Sequence, residues 1–174
     1  MVQKNGLSQV VSTVLLILLT VGAASAIGAA VINFTRTNLN NAGSCNNLEG
    51  KLTLNSEYTC YYPWTNETII SISRNDLPLD SILVSVSSTT SSKSFYLFST
   101  TKNITNVSYY NSKNLNSGVA APGNESERTY CFNGFLETPT EVQIAPKISN
   151  VQCGAVDTIN NLPICTSDIA SGCA

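Results

Sequence analysis

The chain has 174 residues, a net charge of −2 and only 11% charged residues, which excludes a basic field able to attract nucleic acid. It is 43% hydrophobic and nearly neutral, which argues against a disordered chain and for a folded one. It has no histidine, so the commonest general base and the commonest metal ligand are both missing.

Six residues, MVQKNG, precede the first element and carry one positive charge, Lys4. From Leu7 to Phe34 no charged residue occurs. As a helix this stretch reaches about 42 Å at ~1.5 Å per residue, more than a hydrocarbon core of roughly 30 Å. Lys4 keeps the short end in the cytoplasm and directs the rest outward. The stretch is rich in Leu, Ile and Val up to Val21 and then turns to small residues, GAASAIGAA, from Gly22 to Ala30. Gly22 with Ala26, Ala24 with Gly28 and Ala26 with Ala30 are small-x-x-x-small pairs that let helix backbones approach closely. Ala24-Ser25-Ala26 also reads as a secretory cleavage site, which would free a soluble domain starting at Ile27. Against it stand the single charge before the run and the apolar residues Ile27, Val31, Ile32 and Phe34 beyond the site.

Lys4-Asn5-Gly6 followed by LSQVVSTVLL resembles the class III signal of archaeal type IV pilins, a superfamily that includes archaellins and adhesion pilins. The resemblance covers about the first 35 residues. It implies cutting by a prepilin peptidase between Gly6 and Leu7, a single-pass membrane precursor, and handling by a pilus assembly machinery. It also implies a retained helix that becomes the core of a homo-oligomeric helical filament at the cell surface. The chain departs from the family's pattern at Asn5, where a second basic residue is often found, and has Val11 where bacterial type IV pilins carry a glutamate.

Residues 37–44 read as a polar linker ending near Gly43. The remaining sequence reads as β. Candidate strands are Lys51–Leu54, Thr59–Tyr62, the Ile70/Ile72 alternation, the Ile82/Val84/Val86 alternation, Ser94–Phe98, Val107–Tyr110, Tyr130–Phe132 and Val142–Ala145. Residues 111–129 read as an exposed loop. The expected fold is therefore a long N-terminal α-helix followed by an all-β antiparallel sandwich head, Ig-like or jelly-roll-like, stapled by disulfides. The expected parts are a leader (1–6), a membrane and filament-core helix (7–36), the linker (37–44), the head (45–150) and a cysteine-containing tail packed on the head (151–174).

All six cysteines, Cys45, Cys60, Cys131, Cys153, Cys165 and Cys173, come after the apolar stretch. An even number on one side of a membrane-type segment points to three disulfides in an oxidising, extracytoplasmic compartment. Six cysteines allow fifteen pairings, and a Cys45–Cys60 hairpin link is one plausible choice. Without histidine or a C-x-x-C pair, no zinc site is expected.

Five N-x-S/T sequons begin at Asn33, Asn66, Asn103, Asn106 and Asn124. Asn33 lies in the apolar stretch; the other four fall in turns or strand margins and are the glycan candidates. The acids Asp76, Asp80, Asp157 and Asp168 form no catalytic pattern, and the RNDLPLD segment reads as a solvated turn rather than a calcium loop. No phosphate-binding glycine loop and no G-x-S-x-G is present. No catalytic residue, metal or cofactor is expected. Tyr61, Tyr62 and Trp64 form an aromatic cluster suited to a core, a subunit interface or an adhesive patch. The function expected is a filament subunit with a role in surface adhesion and surface glycans among its targets; rotary motility shares the architecture. The rival readings are a membrane-anchored binding module and a secreted soluble domain cleaved after Ala26.

Overall fold

The computed structural model describes residues 5–112, 118–134, 137–166 and 173, and the side chains of its helix only at 11–36 and 43–44. The chain separates into two units, residues 1–43 and 44–174.

The first unit is one helix, α1, which spans Asn5–Ser44. No proline interrupts it, and its apolar half is built of Ala, Leu and other residues that helices tolerate. The helix continues through residues 37–44, which the sequence assigns to a linker. No proline stops the helix there, and Gly43, a poor helix former, stands one residue before its end.

Among the described residues, the second unit holds ten antiparallel strands: β1 Leu52–Leu54, β2 Cys60–Tyr62, β3 Glu67–Arg74, β4 Ser81–Ser87, β5 Ser92–Phe98, β6 Val107–Tyr109, β7 Ser126–Asn133, β8 Glu141–Ile148, β9 Val151–Gln152 and β10 Asp157–Asn160. They form two sheets. One runs β1-β3-β7-β6, with β2 also paired to β3; the other runs β10-β8-β4-β5, with β9 also paired to β8. The period of two decides which face each strand buries. In β4, Ile82, Val84 and Val86 are fully buried; in β8, Val142 and Ile144 are. They share one core with Ile70, Ile72, Tyr130 and Phe132 of the first sheet.

Turn chemistry accounts for much of the asparagine. Asn47, Asn66, Asn106, Asn111, Asn150 and Asn161 all have positive φ, a conformation asparagine accepts more readily than most residues. Ser149 and Asn150 are both left-handed, and Ile148 pairs with Val151, which makes a two-residue hairpin turn. The Asp80 carboxylate accepts the Asn150 N–H at 2.7 Å and fixes that turn.

Pro146 lies within β8, opposite Ile82 of β4. Its carbonyl accepts the Cys153 N–H at 2.9 Å. The amide and carbonyl of one strand residue face the same neighbour, so the missing N–H faces the break between β9 and β10.

The last segment departs from the expected tail. Residues 157–160 are a sheet strand, paired with β8 from Ile144 to Glu141. The chain then crosses to the first sheet. Tyr61 donates its N–H to Pro163 O, and Cys165 donates its N–H to Tyr61 O, each at 2.9 Å. The 111–129 segment is likewise not all loop: Val119, Ala120 and Ala121 are buried, and 126–129 belong to β7.

The disulfides are Cys45–Cys153, Cys60–Cys165 and Cys131–Cys173. Cys45 does not join Cys60. Cys60 and Cys131 flank Ile69 at one register level across β2, β3 and β7, and the end of the chain returns to bond both. Ile69 points away from the main core, and these two disulfides cover it as a second small cluster.

Candidate functional site

The apolar helix is the first feature that needs a partner. From Val11 to Arg36 it is long and apolar enough to cross a membrane, and none of that span is buried. Leu15, Leu16, Ile17, Leu18 and Leu19 stand exposed in succession, so no side of the helix there is polar. Three of its hydroxyls are turned inward on its own backbone. Thr20 Oγ1 donates to Ile17 O (2.9 Å), Ser25 Oγ to Val21 O (2.8 Å) and Thr35 Oγ1 to Val31 O (2.8 Å). Such bonds leave these polar side chains needing little from the surroundings. Helical spacing alone could have foretold them, since each hydroxyl has a carbonyl one turn back.

Gly22, Ala24, Ala26, Gly28 and Ala30 all lie on the exposed helix. A Cβ added at Gly22 or Gly28 would meet nothing within 4 Å. The Gly6–Leu7 bond lies in the first turn of the helix; the side chains there are outside the described residues. An exposed apolar helix fits a secretion signal or a membrane anchor, and the three disulfides fit an oxidising, extracytoplasmic compartment.

The head holds its polar groups in structural pairs. Asp76 Oδ1 accepts from Asn124 Nδ2 at 3.0 Å. Asp157 accepts the N–H of Leu54 (2.7 Å) and of Thr158 (2.8 Å), which ties β10 to β1. Asp80 holds the β8–β9 turn, and Asp168 lies outside the described residues. Among the described residues, no group of three or more His, Cys, Asp or Glu could hold a metal ion.

Glu127 on the outer face of β7 accepts from Ser71 Oγ (2.7 Å), Asn55 Nδ2 (2.9 Å) and Ser73 Oγ (2.9 Å). The Ser71 bond in particular holds its carboxyl below the usual range, against a smaller opposing effect of burial and with help from Ser73 and Asn55. Burial lowers the Arg74 guanidinium, opposed by Asp76. Arg74 donates to Leu77 O and Pro122 O and so clamps two loops. A shallow notch is lined by Tyr109, Tyr110, Arg128 and Thr129. There Arg128 Nη1 donates to Tyr109 Oη at 2.6 Å, and its guanidinium lies 5.2 Å from the Tyr109 ring centre. The same phenol oxygen accepts the Ala120 N–H at 2.8 Å.

The aromatic cluster divides. Tyr61 is buried, and its hydroxyl donates to Asn66 Oδ1 at 2.9 Å; burial raises its phenol. Tyr62 is half-buried against the disulfide cluster. Trp64, on the β2–β3 connection, is 84% exposed.

The sequons also differ. Asn66 is a left-handed turn residue that accepts the Tyr61 hydroxyl. Asn124 Oδ1 accepts the Leu77 N–H at 3.3 Å while its amide donates to Asp76. Asn103 and Asn106 are exposed on the connection from β5 to β6. Asn33 is exposed on the helix.

No protein-family model matches the chain, and no curated protein and no solved structure matches it.

Proposed function

We propose that this chain is the structural subunit of an extracellular type IV pilus-like filament, cut between Gly6 and Leu7 and assembled through its N-terminal helix. The observation that carries the reading is a continuous helix, Asn5–Ser44, apolar over Val11–Arg36 and joined to a disulfide-locked β head. Its apolar span, Val11–Arg36, has 26 residues, about 39 Å at ~1.5 Å per residue, longer than a ~30 Å hydrocarbon core. A membrane alone leaves part of it uncovered. Copies of the same helix, meeting through Gly22, Ala24, Ala26, Gly28 and Ala30, cover the remainder.

On this reading the precursor is a single-pass membrane protein, a prepilin peptidase removes residues 1–6, and the assembly machinery moves the helix from lipid into a homo-oligomeric core. The head is an Ig-like or jelly-roll-like sandwich displayed on the filament. We assign it adhesion to surfaces, with surface glycans among its targets, on the exposure of Trp64. We assign no catalytic role; Asp76, Asp80 and Asp157 serve turns and strand links.

Sequencing the amino terminus of mature protein tests the cleavage site. A start at Leu7 supports the reading, whereas a start at Ile27 makes the chain a secreted soluble domain. Replacing Gly6 with a bulky residue should leave uncut precursor in the membrane. Imaging of shed cell-surface material separates a filament subunit from an anchored binding module, since an anchor yields no filaments containing the chain.

A further inference from the structure

We propose that Asn103, within Asn103-Ile104-Thr105, is the N-glycan acceptor of the folded head and that the other sequons stay bare. The inference rests on the export reading above and concerns which of five sequons the fold leaves usable. An oligosaccharyl transferase must reach both the asparagine amide and the hydroxyl two residues later, on a segment that can bend into its active site. A sequon whose asparagine amide or hydroxyl is buried, bonded elsewhere or held in a strand or helix fails on one of these counts.

The fold fails four of them in this way. Asn66-Glu67-Thr68 has its hydroxyl residue fully buried in β3, and Asn66 Oδ1 is engaged by the Tyr61 hydroxyl. Asn106-Val107-Ser108 runs into β6, where Ser108 is 6% exposed and paired with Cys131. Asn124-Glu125-Ser126 has both amide atoms of Asn124 engaged, and Ser126 Oγ donates to Gly123 O at 2.8 Å. Asn33-Phe34-Thr35 is held in α1, with the Thr35 hydroxyl bonded to Val31 O.

Asn103-Ile104-Thr105 leads into a turn closed by the Val107 N–H to Ile104 O at 3.2 Å, a bond that engages the backbone and leaves both polar side chains of the sequon unheld. Residues 103–105 belong to no strand. They leave the Lys102–Val119 bridge and rejoin the sheet where β6 begins at Val107. Asn103 and Thr105 are both exposed, while half-buried Ile104 packs on the main core and anchors the loop. Among the described residues, neither polar side chain is held by a hydrogen bond, so both can turn to an enzyme.

The co-reactant is an oligosaccharide carried on a lipid phosphate. A bond forms between Asn103 Nδ2 and the anomeric carbon of the first sugar. The anomeric C–O bond to the lipid phosphate breaks, the phosphate leaves with the electron pair, and one amide proton passes to a base of the transferase.

The test is glycopeptide mass spectrometry on protein from the cells that naturally make it, combined with sequencing of its amino terminus. The expected result is one occupied site, at Asn103, on chains beginning at Leu7. N103Q and T105A should each lose the whole glycan mass, and T105S should restore it. T68V deletes the Asn66 sequon and should leave the glycan unchanged. Occupancy at Asn33, Asn66, Asn106 or Asn124, or no glycan at all, overturns the assignment. Bare chains starting at Leu7 would leave the filament reading standing, whereas a start at Ile27 with Asn103 occupied would sink that reading and keep the site. With purified transferase and lipid-linked donor in vitro, the folded head should accept glycan at Asn103 alone. Reduced, unfolded chain should also accept it at Asn66 and Asn124; equal patterns in the two states would show that the fold does not select the site.

Discussion

Thr68 sits on the inner face of β3 with its Oγ1 buried and without a hydrogen-bond partner among the described residues. A buried hydroxyl without a partner costs about 1–3 kcal/mol. Thr68→Val keeps the shape and removes the hydroxyl, so it should raise stability by about 1 kcal/mol, read as a higher urea midpoint. A lower midpoint would mean that a partner such as buried water serves this group. Tyr130 is the opposite case. It is fully buried, and its hydroxyl donates to Ala120 O at 2.7 Å. Burial pushes its phenol well above the ordinary tyrosine range, with Tyr109 adding to the rise and Arg128 opposing it. The unfolded chain loses this proton near pH ~10 while the folded chain keeps it. Its contribution is therefore fully present below that pH and is lost as pH rises above it. Tyr130→Phe should lower stability by about 1 kcal/mol at pH 7 and flatten the decline above pH ~10; an unchanged alkaline profile would refute the assignment. At this scale the sequence is partly legible. Its asparagines are identifiable as turn residues or sugar acceptors, but which role each takes depends on its neighbours. Asn66 meets the Tyr61 hydroxyl only because β2 and β3 form a hairpin.

Among the elements, the strongly periodic ones are legible and the short ones are not. The Ile82/Val84/Val86 alternation announces β4, because each residue has one face to bury. β10, DTIN, has no such alternation; it exists because β8 presents an edge and Asp157 accepts the Leu54 N–H. The cysteine pairing was illegible for a related reason. Cys45 and Cys60 are near in sequence, yet the sheet order brings Cys60 to Cys165 and Cys45 to Cys153. Loops of this length make the bonds stabilising, typically by about 2–4 kcal/mol each. Replacing Cys45 and Cys153 together with alanine should therefore lower the melting temperature by about 10 °C; a shift under ~2 °C would show that this link contributes little. In α1, Ala26→Asp should leave export intact but prevent assembly, because it places an unpaired charge where helices pack. Normal filaments from that variant would remove the small-residue face from the core.

For the whole molecule, the division at Ser44 sets the behaviour of the parts. The head has its own core and three internal disulfides. A fragment starting at Ser44 should be a soluble monomer with β-type circular dichroism and a cooperative melt, lowered by reductant. Aggregation of the oxidised fragment would mean that the helix also contributes to folding the head. The two-part plan was legible because an uncharged run of this length cannot sit in a small β domain. The extent of the helix was not, since residues 37–44 carry polar side chains that suit a linker and a solvated helix end equally well.

The Cys45–Cys153 bond also determines what pulling would do. Tension arriving along the helix enters the head one residue past Ser44 and passes through sulfur directly to Cys153. Everything between those cysteines, including β3, β4 and β7, is closed in a covalent ring, and Cys60–Cys165 and Cys131–Cys173 tie that ring to the segment beyond it, so short covalent paths share the load. Pulled from Cys45 to Cys173, the oxidised head can extend no further than its shortest covalent path, about 20 residues or ~70 Å of contour. The reduced chain could release about 450 Å on the same scale. The disulfide thus makes the head a nearly inextensible link, able to carry force without unravelling its sheets.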